Sequence, residues 1–377
     1  MSSSKFIHLH THSHYSLLNA LPKIDELVKV AKKYEMSALA LTDNANLYGA
    51  IEFYKACKKE NINPILGVDA YVAVRKRQDK QAGVDNRRSR LVLLAKNIDG
   101  YKNLIKLVTE ANLDGFYYKP RIDKELIEKY HEGLICISPS FSGAVSQALK
   151  NLDVNRAKEL LIWYKIVYGK ENVFLEITHH PEIEGHKQLM EKIIDIGKET
   201  ETPLVATHDV YYINPEDKKA RETLMLVQSN NDFAKNEDEG NFSFISPEQA
   251  KELFKKTPEA VENTIKIAEM CNLNLELGKW VFPDYKVENG LTYDKELERL
   301  VYEGIEKRNI EKTKTVDERI IYELKVIRDK GYAPYFLVVS DLLNFAHEHG
   351  ILTTIRGSVA GSLVTYLAGI TNVNPIE

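Results

Sequence analysis

Short apolar runs rich in β-branched residues alternate with amphipathic helical stretches from the N-terminus to about residue 212. This alternation is typical of βα units repeated around a parallel sheet. About seven runs have the length of a single strand. They are FIHLH near residue 6, ALALT near 38, ILGVDAYVAV near 65, RLVLLA near 90, LICIS near 134, VFLEI near 173 and PLVATHDVYY near 203. The pattern admits either a βα barrel or an open doubly wound sheet.

Polar residues at the ends of these runs favour the barrel. In a βα barrel the loops after several strands converge on one rim, whereas an open sheet gathers its binding residues only at a switch point. Histidines and carboxylates follow the first, second, third and seventh runs, and they include His10, His12, Asp43, Asp69 and Asp209. The sequence therefore predicts an α/β fold, a distorted βα barrel with a shared site at its rim.

After Tyr212 the pattern changes to helices with capping residues, which predicts a helical annex to the barrel. The starts of three such helices are Asn214-Pro215-Glu216, Ser246-Pro247-Glu248 and Thr257-Pro258-Glu259. Each places a side chain that can cap a helix before a proline, which fits the first helical turn. Residues 231–241 are rich in Asn, Asp, Glu and Gly and are predicted to form an exposed loop.

A chain of 377 residues is long enough for two domains. Residues 278–290 contain few apolar residues and are predicted to connect them. The predicted domains are residues 1–278, a barrel with its helical annex, and residues 279–377.

Composition excludes several classes of protein. With 44% hydrophobic and 28% charged residues, no apolar run approaches the ~20 residues that a membrane helix needs. The N-terminus lacks the pattern of a secretory signal, and the chain has three cysteines far apart in sequence. We therefore expect a cytoplasmic protein that does not bind membranes. The net charge of −4 lacks the basic excess of a stand-alone DNA-binding domain.

The strongest local pattern is the segment from His8 to His14, in which every second residue is a histidine. Alternate side chains of an extended strand point to one face, so these imidazoles can reach a common metal ion. Asp43, Asp69 and Asp209 would add carboxylates, a mixture suited to zinc, manganese or iron in a hydrolytic site. The alternative is a polar strand end whose histidines bind no metal.

Other histidines lie close together in sequence but in a different setting. His179 and His180 lie on a predicted loop, and His186 on a predicted helix. Exposure to solvent is the ordinary expectation for such histidines.

A second candidate site lies near the C-terminus, in Arg356-Gly357-Ser358-Val359-Ala360-Gly361-Ser362, directly before an apolar run. Glycines let a backbone approach a ligand closely, hydroxyls and exposed N–H groups can hold phosphate oxygens, and arginine binds them with two parallel hydrogen bonds. The segment is therefore a candidate triphosphate cradle. The alternative is a helix start in which small residues pack against a neighbour.

These motifs resemble the alpha subunits of bacterial DNA polymerase III, the C family of replicative polymerases. Their palm opening is similar to Gly331-Tyr332-Ala333-Pro334-Tyr335-Phe336-Leu337-Val338-Val339, Arg356-Gly357-Ser358-Val359-Ala360-Gly361-Ser362-Leu363-Val364, Gly369-Ile370-Thr371 and Asn374-Pro375. Their polymerase-and-histidinol-phosphatase (PHP) domain is similar to the strand that carries His10 and His12, to Leu41-Thr42-Asp43, Asn46-Leu47-Tyr48-Gly49, Pro64-Ile65-Leu66-Gly67 and Leu93-Leu94-Ala95-Lys96-Asn97, and to the segment from Val205 to Asp209.

The resemblance implies a PHP domain followed by the first part of a nucleotidyltransferase-like palm. In such palms the Gly-Ser motif contacts the incoming nucleotide, which here would involve Arg356, Gly357, Ser358, Gly361 and Ser362. The aspartates that bind Mg²⁺ for polymerisation are expected beyond Glu377. We therefore expect no polymerase catalytic residue in this chain, and no polymerase activity from it alone.

The resemblance also implies a PHP metal site that this sequence departs from. The candidate ligands that remain are His10, His12, Asp209 and Asp69, and Zn²⁺ or Mn²⁺ would suit them at low occupancy. This chain has Asn19 where the family usually has Asp, and Asp69 where it has Glu. It has Asn44, Arg90 and Tyr211 where the family has His, and Ser140 where it has Cys or His. Amide, hydroxyl and phenol groups are poor ligands for such ions, and an arginine repels them. We expect a degenerate site.

The function that follows is that of an N-terminal part of a replicative DNA-directed DNA polymerase. Its partners would be template-primer DNA, deoxynucleoside triphosphates and other replisome subunits, with a proofreading exonuclease possible at the PHP domain. One alternative is a metal-dependent PHP phosphoesterase or 3′–5′ exonuclease. Another is a non-catalytic docking platform for a separate exonuclease.

Overall fold

The computed structural model describes residues 6–229, 240–287 and 290–377. Most of the loop predicted at 231–241 lies outside the described residues. The chain divides into two compact units, Met1–Leu275 and Glu276–Glu377. That the two units are a PHP domain with its annex and the start of a palm stays a prediction.

Unit 1 is built on an eight-stranded sheet within the described residues. The strands are β1 (Ala38–Leu41), β2 (Asn63–Ala73), β3 (Arg88–Ala95), β4 (Phe116–Tyr117), β5 (Lys119–Ile122), β6 (Leu134–Ser138), β7 (Val173–Ile177) and β8 (Leu204–Ala206). Their order is β4-β5-β2-β3-β6-β7-β8, and β1 pairs with β2. Leu91–Ala95 and Leu134–Ile137 are fully buried, as expected for strands covered on both faces.

The direction of β3 departs from the expected parallel sheet. β1–β2, β6–β7 and β7–β8 are parallel pairs, but β3 runs antiparallel to both β2 and β6. Residues 74–87, which join β2 to β3, contain no helix. Parallel neighbours need a crossover connection that is usually helical, so two strands joined by a loop pair antiparallel instead. The expectation of a wholly parallel sheet is wrong at β3.

The first predicted strand is also different, since residues 6–10 form no regular strand. The segment still joins the sheet through its backbone. The amide of Ala40 donates to His8 O over 2.9 Å, and the amide of Val210 donates to His10 O over 3.0 Å. It therefore lies between β1 and the stretch after β8, where its hydrogen bonds are shared between two neighbours. The α/β fold with a curled, barrel-like sheet is confirmed.

Helices of unit 1 cover this sheet and form the annex. They are α1 (Ile24–Lys33), α2 (Ala50–Lys59), α3 (Ile98–Leu113), α4 (Lys124–Lys129), α5 (Ala144–Lys150), α6 (Val154–Tyr168), α7 (His186–Glu199), α8 (Lys218–Ser229), α9 (Pro247–Leu253) and α10 (Pro258–Met270). In the annex, α9 begins at a capping box, in which Ser246 Oγ accepts from the amide of Gln249 over 3.2 Å. This hydrogen bond satisfies one free donor of the first turn.

Unit 2 is helical, with no β-strand among its described residues. Its helices are α11 (Tyr293–Lys307), α12 (Lys314–Asp329), α13 (Ala333–Glu348) and α14 (Leu363–Leu367), and a short 3-10 turn at Ser358–Gly361 precedes α14. Val301, Ile320, Leu337 and Leu363 are fully buried in its core. In the described parts of both units, no helix is long and apolar enough to cross a membrane.

Gly304 provides a test of how α11 packs against the end of α14. A Cβ built on Gly304 would lie 2.1 Å from the carbonyl oxygen of Leu367. In an open helix, replacing glycine with alanine gains roughly 1 kcal/mol of stability. Here the clash is with backbone, so we expect Gly304→Ala to destabilise unit 2 by about 2 kcal/mol.

The measurement is thermal unfolding followed by circular dichroism. Lys307→Ala, an exposed change in the same helix, is the control and should alter stability by no more than about 0.5 kcal/mol. A higher melting temperature for Gly304→Ala would contradict the packing described.

Candidate functional site

His10, His12 and Asp209 converge in unit 1. Each offers one ligand atom, and these atoms all lie within 4.8 Å of one another. Both His10 Nε2 and His12 Nδ1 lie 3.3 Å from Asp209 Oδ1, and all three residues are buried. Imidazole nitrogens and a carboxylate oxygen suit a transition metal ion, so the group can hold one.

The backbone fixes this convergence. The amide of His12 donates to Val210 O over 2.9 Å, and the amide of Val210 returns a hydrogen bond to His10 O over 3.0 Å. Asp209 itself has a φ of +34°, an uncommon value for a residue with a side chain. A second carboxylate orients His10, because its Nδ1 lies 2.7 Å from Glu176 Oε1.

Asp69 lies beside this group, but Arg90 holds it. Asp69 Oδ2 is 3.1 Å from His10 Nε2 and 3.4 Å from His12 Nε2. The same oxygen forms a close ion pair with Arg90 Nη2. Asp69 is fully buried, and its other side-chain oxygen has no hydrogen-bond partner among the described residues. The carboxylate of Asp69, which the sequence suggests as a metal ligand, is therefore already neutralised by the guanidinium of Arg90.

Arg90 is held by two of the residues that depart from the PHP pattern. Its Nη1 donates to Tyr211 Oη over 3.0 Å, and its Nη2 donates to Asn44 Oδ1 over 2.5 Å. The Tyr211 ring stacks on His12 with 4.2 Å between ring centroids. Asn44 and Tyr211, which replace expected metal ligands, thus accept hydrogen bonds from the Arg90 guanidinium.

The two remaining departures also have protein partners. Arg221 Nε donates to the backbone carbonyl oxygen of Asn19 over 3.1 Å, and Arg221 Nη2 donates to Asn19 Oδ1 over 3.3 Å. The amide and hydroxyl of Ser140 donate to Glu176 Oε2 over 2.7 and 3.0 Å. Each therefore takes part in hydrogen bonds within the protein.

Burial and charge set the protonation of these groups. Burial alone would lower the pKa of His10, but the carboxylates of Asp209 and Glu176 outweigh it and raise that pKa. The pKa of His12 is lowered well below its usual value, first by burial and then by the charges of His10 and Arg90. Burial would raise the pKa of Glu176, yet its contacts with His10 and other donors lower it to about 2. Asp69 is thus countered by Arg90, and Glu176 by His10.

Three other histidines point elsewhere: His8 and His14 of the first segment, and His208 next to Asp209. His8 Nε2 lies 3.0 Å from Ile245 O, and its ring packs on Phe244. His14 packs on Tyr15, and His208 stacks on His180 with 5.0 Å between ring centroids. None of these three belongs to the metal-type group found among the described residues. The alternation expected from a regular strand fails at His8 because residues 6–10 form no regular strand.

Two histidines expected at the surface are buried. His180 is 1% exposed and His186 is 4% exposed, although His179 is exposed as expected. Phe141 packs on both buried rings, with centroid distances of 5.4 and 5.2 Å. The expectation of exposure is wrong for His180 and His186, because aromatic residues distant in sequence cover them.

Sequence reasoning missed two residues of the site. Glu176 is a carboxylate inside the apolar run VFLEI, and a charged residue in a strand of that kind indicates a buried partner. Arg221 lies in α8 and its guanidinium packs on the Tyr211 ring, 4.0 Å from the ring centroid, but no sequence feature distinguishes it from a surface arginine. Arg90 was identified only as a residue that opposes metal binding, and its pairing with Asp69 was not predicted.

The C-terminal candidate site is an exposed turn. Gly357 has a φ of +89°, which favours glycine, and Arg356, Gly357, Ser358 and Gly361 are exposed. Among the described residues, the side chains of Arg356 and Ser358 make no hydrogen bond or ion pair. The hydroxyl of Ser362, by contrast, donates to Glu323 Oε2 over 2.6 Å. Of the five residues predicted to bind nucleotide, Ser362 is the one whose side chain makes a hydrogen bond to another part of the described chain.

Comparison with known proteins agrees with the resemblance. Residues 8–180 match the PHP domain family, and residues 295–377 match the bacterial DNA polymerase III alpha NTPase domain family. The chain is 40% identical over 385 residues to the DNA polymerase III subunit alpha of Borreliella burgdorferi, covering 99% of this chain and 33% of that protein. It is 38% identical over 402 residues to that of Aquifex aeolicus, covering 100% of this chain and 34% of that protein.

The predicted resemblance to bacterial DNA polymerase III alpha subunits is confirmed along the whole chain. The chain spans about a third of the length of these curated relatives. The metal and nucleotide roles of individual residues stay predictions.

The ion pair between Arg90 and Asp69 can be tested by its removal. We expect Arg90→Met to destabilise unit 1 by about 3 kcal/mol, because it leaves a fully buried carboxylate without its cation. A second change, Asp69→Asn, should restore part of that loss. Stability is measured by urea unfolding.

Arg88→Met is the matched control, since Arg88 lies two positions earlier on β3 and its guanidinium donates to Asn86 O and stacks on Tyr71. Equal losses from the two arginine variants would contradict the role given to Arg90.

Proposed function

We propose that this chain, which matches DNA polymerase III alpha subunits throughout its length, is the N-terminal part of such a subunit and belongs to a protein that extends a DNA primer. The observation that carries the proposal is the order of the two domain matches, PHP and then NTPase domain, along one chain. DNA, deoxynucleoside triphosphates and other replisome subunits are then the partners of the longer protein, in the cytoplasm.

In this proposal the turn before α14 binds the triphosphate of the incoming nucleotide. The exposed guanidinium of Arg356 is free to bind phosphate oxygens with two hydrogen bonds. Gly357, at positive φ, lets the backbone approach them, and the Ser358 hydroxyl can donate to them. In the longer protein, Mg²⁺ held by aspartates of the palm would supply charge stabilisation in the phosphoryl transfer.

Arg356 tests the nucleotide site. In the full-length polymerase chain, Arg356→Ala should raise the KM for deoxynucleoside triphosphates about 10-fold or more, because a charged hydrogen bond contributes roughly 1.5–3 kcal/mol. The KM for primed template should not change. The assay is steady-state primer extension over a range of nucleotide concentrations.

Arg328→Ala, an exposed arginine of α12 in the same unit, is the matched control. An unchanged nucleotide KM in Arg356→Ala would show that the turn does not bind the triphosphate as proposed.

We also propose that the PHP site of this chain is a scaffold with little or no hydrolytic activity. A multinuclear site needs several anionic or imidazole ligands to hold adjacent cations. Here His10, His12 and Asp209 fit one ion, Zn²⁺ or Mn²⁺. A second ion does not fit, because Arg90 brings a fixed positive charge to Asp69 and also lies 3.4 Å from His12 Nε2.

This scaffold proposal predicts the outcome of a nuclease assay. Labelled single-stranded DNA incubated with the chain and added Zn²⁺ or Mn²⁺ should remain intact, and metal analysis after dialysis should find at most one ion per chain. The reference is the double variant His10→Ala, His12→Ala, which should behave in the same way toward DNA.

The His10, His12 and Asp209 group favours one rival, a PHP phosphoesterase or 3′–5′ exonuclease. DNA degradation that is abolished in the double variant would establish this rival in place of the scaffold. If the site is silent, the PHP domain remains available as a platform for a separate proofreading exonuclease, as the resemblance suggests.

A further inference from the structure

The carboxylate of Glu323 lies at the start of α14, directly after the turn that carries the Gly-Ser motif. It accepts three hydrogen bonds there, from Ser362 Oγ over 2.6 Å, from the amide of Leu363 over 3.1 Å and from the amide of Val364 over 3.0 Å. Glu323 itself belongs to α12, about forty residues earlier in the chain. An anion from a different helix therefore satisfies two free amide donors of this helix start.

Arg319, one turn earlier on α12, completes the contact. Its Nε donates to Glu323 Oε1 over 2.5 Å, and its Nη2 donates to the carbonyl oxygen of Gly361 over 3.0 Å. Arg319 and Glu323 together therefore bind a carbonyl oxygen and two amides of the segment 361–364. We call Arg319 and Glu323 the α12 clamp.

Glu323 is buried, with 9% of its surface exposed. Burial would raise its pKa, but the hydrogen bonds from Ser362, from the amides of α14 and from Arg319 outweigh burial and lower that pKa. The carboxylate is therefore held in its charged form, which accepts stronger hydrogen bonds than a neutral group.

We propose that the α12 clamp positions the Gly-Ser turn, so that Arg356, Gly357 and Ser358 bind the triphosphate while Ser362 serves as the attachment of the turn to Glu323. The proposal rests on the proposed function, because it concerns the same nucleotide site. It reassigns Ser362, whose hydroxyl already donates to Glu323, from a nucleotide contact to a positioning residue.

The clamp also explains how a carboxylate can lie close to a site for a polyanion. An unpaired Glu323 would repel phosphate, since like charges raise each other's energy at short range. Its charge is countered by Arg319, and it accepts hydrogen bonds from the amides of Leu363 and Val364. The exposed side of the turn then presents Arg356, which is not engaged in the described chain, to the nucleotide.

The first experiment measures the clamp in the present chain, independently of polymerase activity. Hydrogen exchange followed by mass spectrometry on peptides that contain Leu363 and Val364 should show at least about 10-fold faster exchange in Glu323→Gln, from the loss of charged hydrogen bonds. The matched control is Glu318→Gln, an exposed change on the same helix that removes a surface ion pair with Lys314 at 3.8 Å. In this variant the amides of Leu363 and Val364 should exchange at the unmodified rate.

Ser362→Ala should accelerate exchange of the same amides, and combining it with Glu323→Gln should add little, because the two residues act through one contact. Ser358→Ala should leave the exchange unchanged. Unchanged exchange in Glu323→Gln would overturn the clamp.

The second experiment asks whether the clamp positions the nucleotide site in the full-length polymerase. A turn displaced from the nucleotide raises the nucleotide KM, so Glu323→Gln and Arg319→Ala should each raise it about 10-fold with little change in the KM for primed template. A change that merely unfolds part of the enzyme lowers the active fraction and kcat at constant KM. Arg319→Lys, which keeps the charge, should recover part of the affinity.

The two outcomes separate the clamp from the proposed function. Faster exchange with a normal nucleotide KM in Glu323→Gln, while Arg356→Ala raises that KM, would overturn the positioning role and leave the nucleotide site in place. A normal KM in both Glu323→Gln and Arg356→Ala would overturn the proposed function and, with it, the positioning role.

Discussion

The ion pair between Arg90 and Asp69 is the constraint on which the rest of the PHP-type site depends. A fully buried carboxylate is tolerated only when a cation compensates for its lost hydration. Arg90 provides that charge from the neighbouring strand β3, and the antiparallel pairing of β2 with β3 puts the two residues within reach. Asn44 and Tyr211 then complete the hydrogen bonding of the guanidinium. Three residues that look like lost ligands in sequence form one polar network in the structure.

Local patterns in the sequence predicted the features that depend on local structure. The apolar runs predicted the α/β sheet because strands covered on both faces are apolar throughout. The convergence of His10, His12 and Asp209 followed from the rule that strand ends share a rim. The direction of β3 did not follow, because it depends on the connection at 74–87, where the absence of a helix was not used in the prediction.

Contacts between residues far apart in the chain could not be predicted from the sequence. Phe141 helps to bury His180 and His186, and no spacing rule links either histidine to that ring. The pairing of Glu323 with the start of α14 likewise joins residues about forty positions apart, and α12 gives no sequence sign of it. Side chains that act through folded geometry are identified only when the geometry is known.

The two candidate sites use an arginine and a carboxylate with opposite consequences for a ligand. At Asp69 the guanidinium of Arg90 lies where a metal ion would find its ligand, so the pair competes with a cation. At Glu323 the pair with Arg319 binds the protein's own helix start, and it leaves Arg356 exposed and unengaged within the described chain. Because a free guanidinium keeps its full capacity to bind phosphate, the turn that carries Arg356 is the stronger candidate for ligand binding.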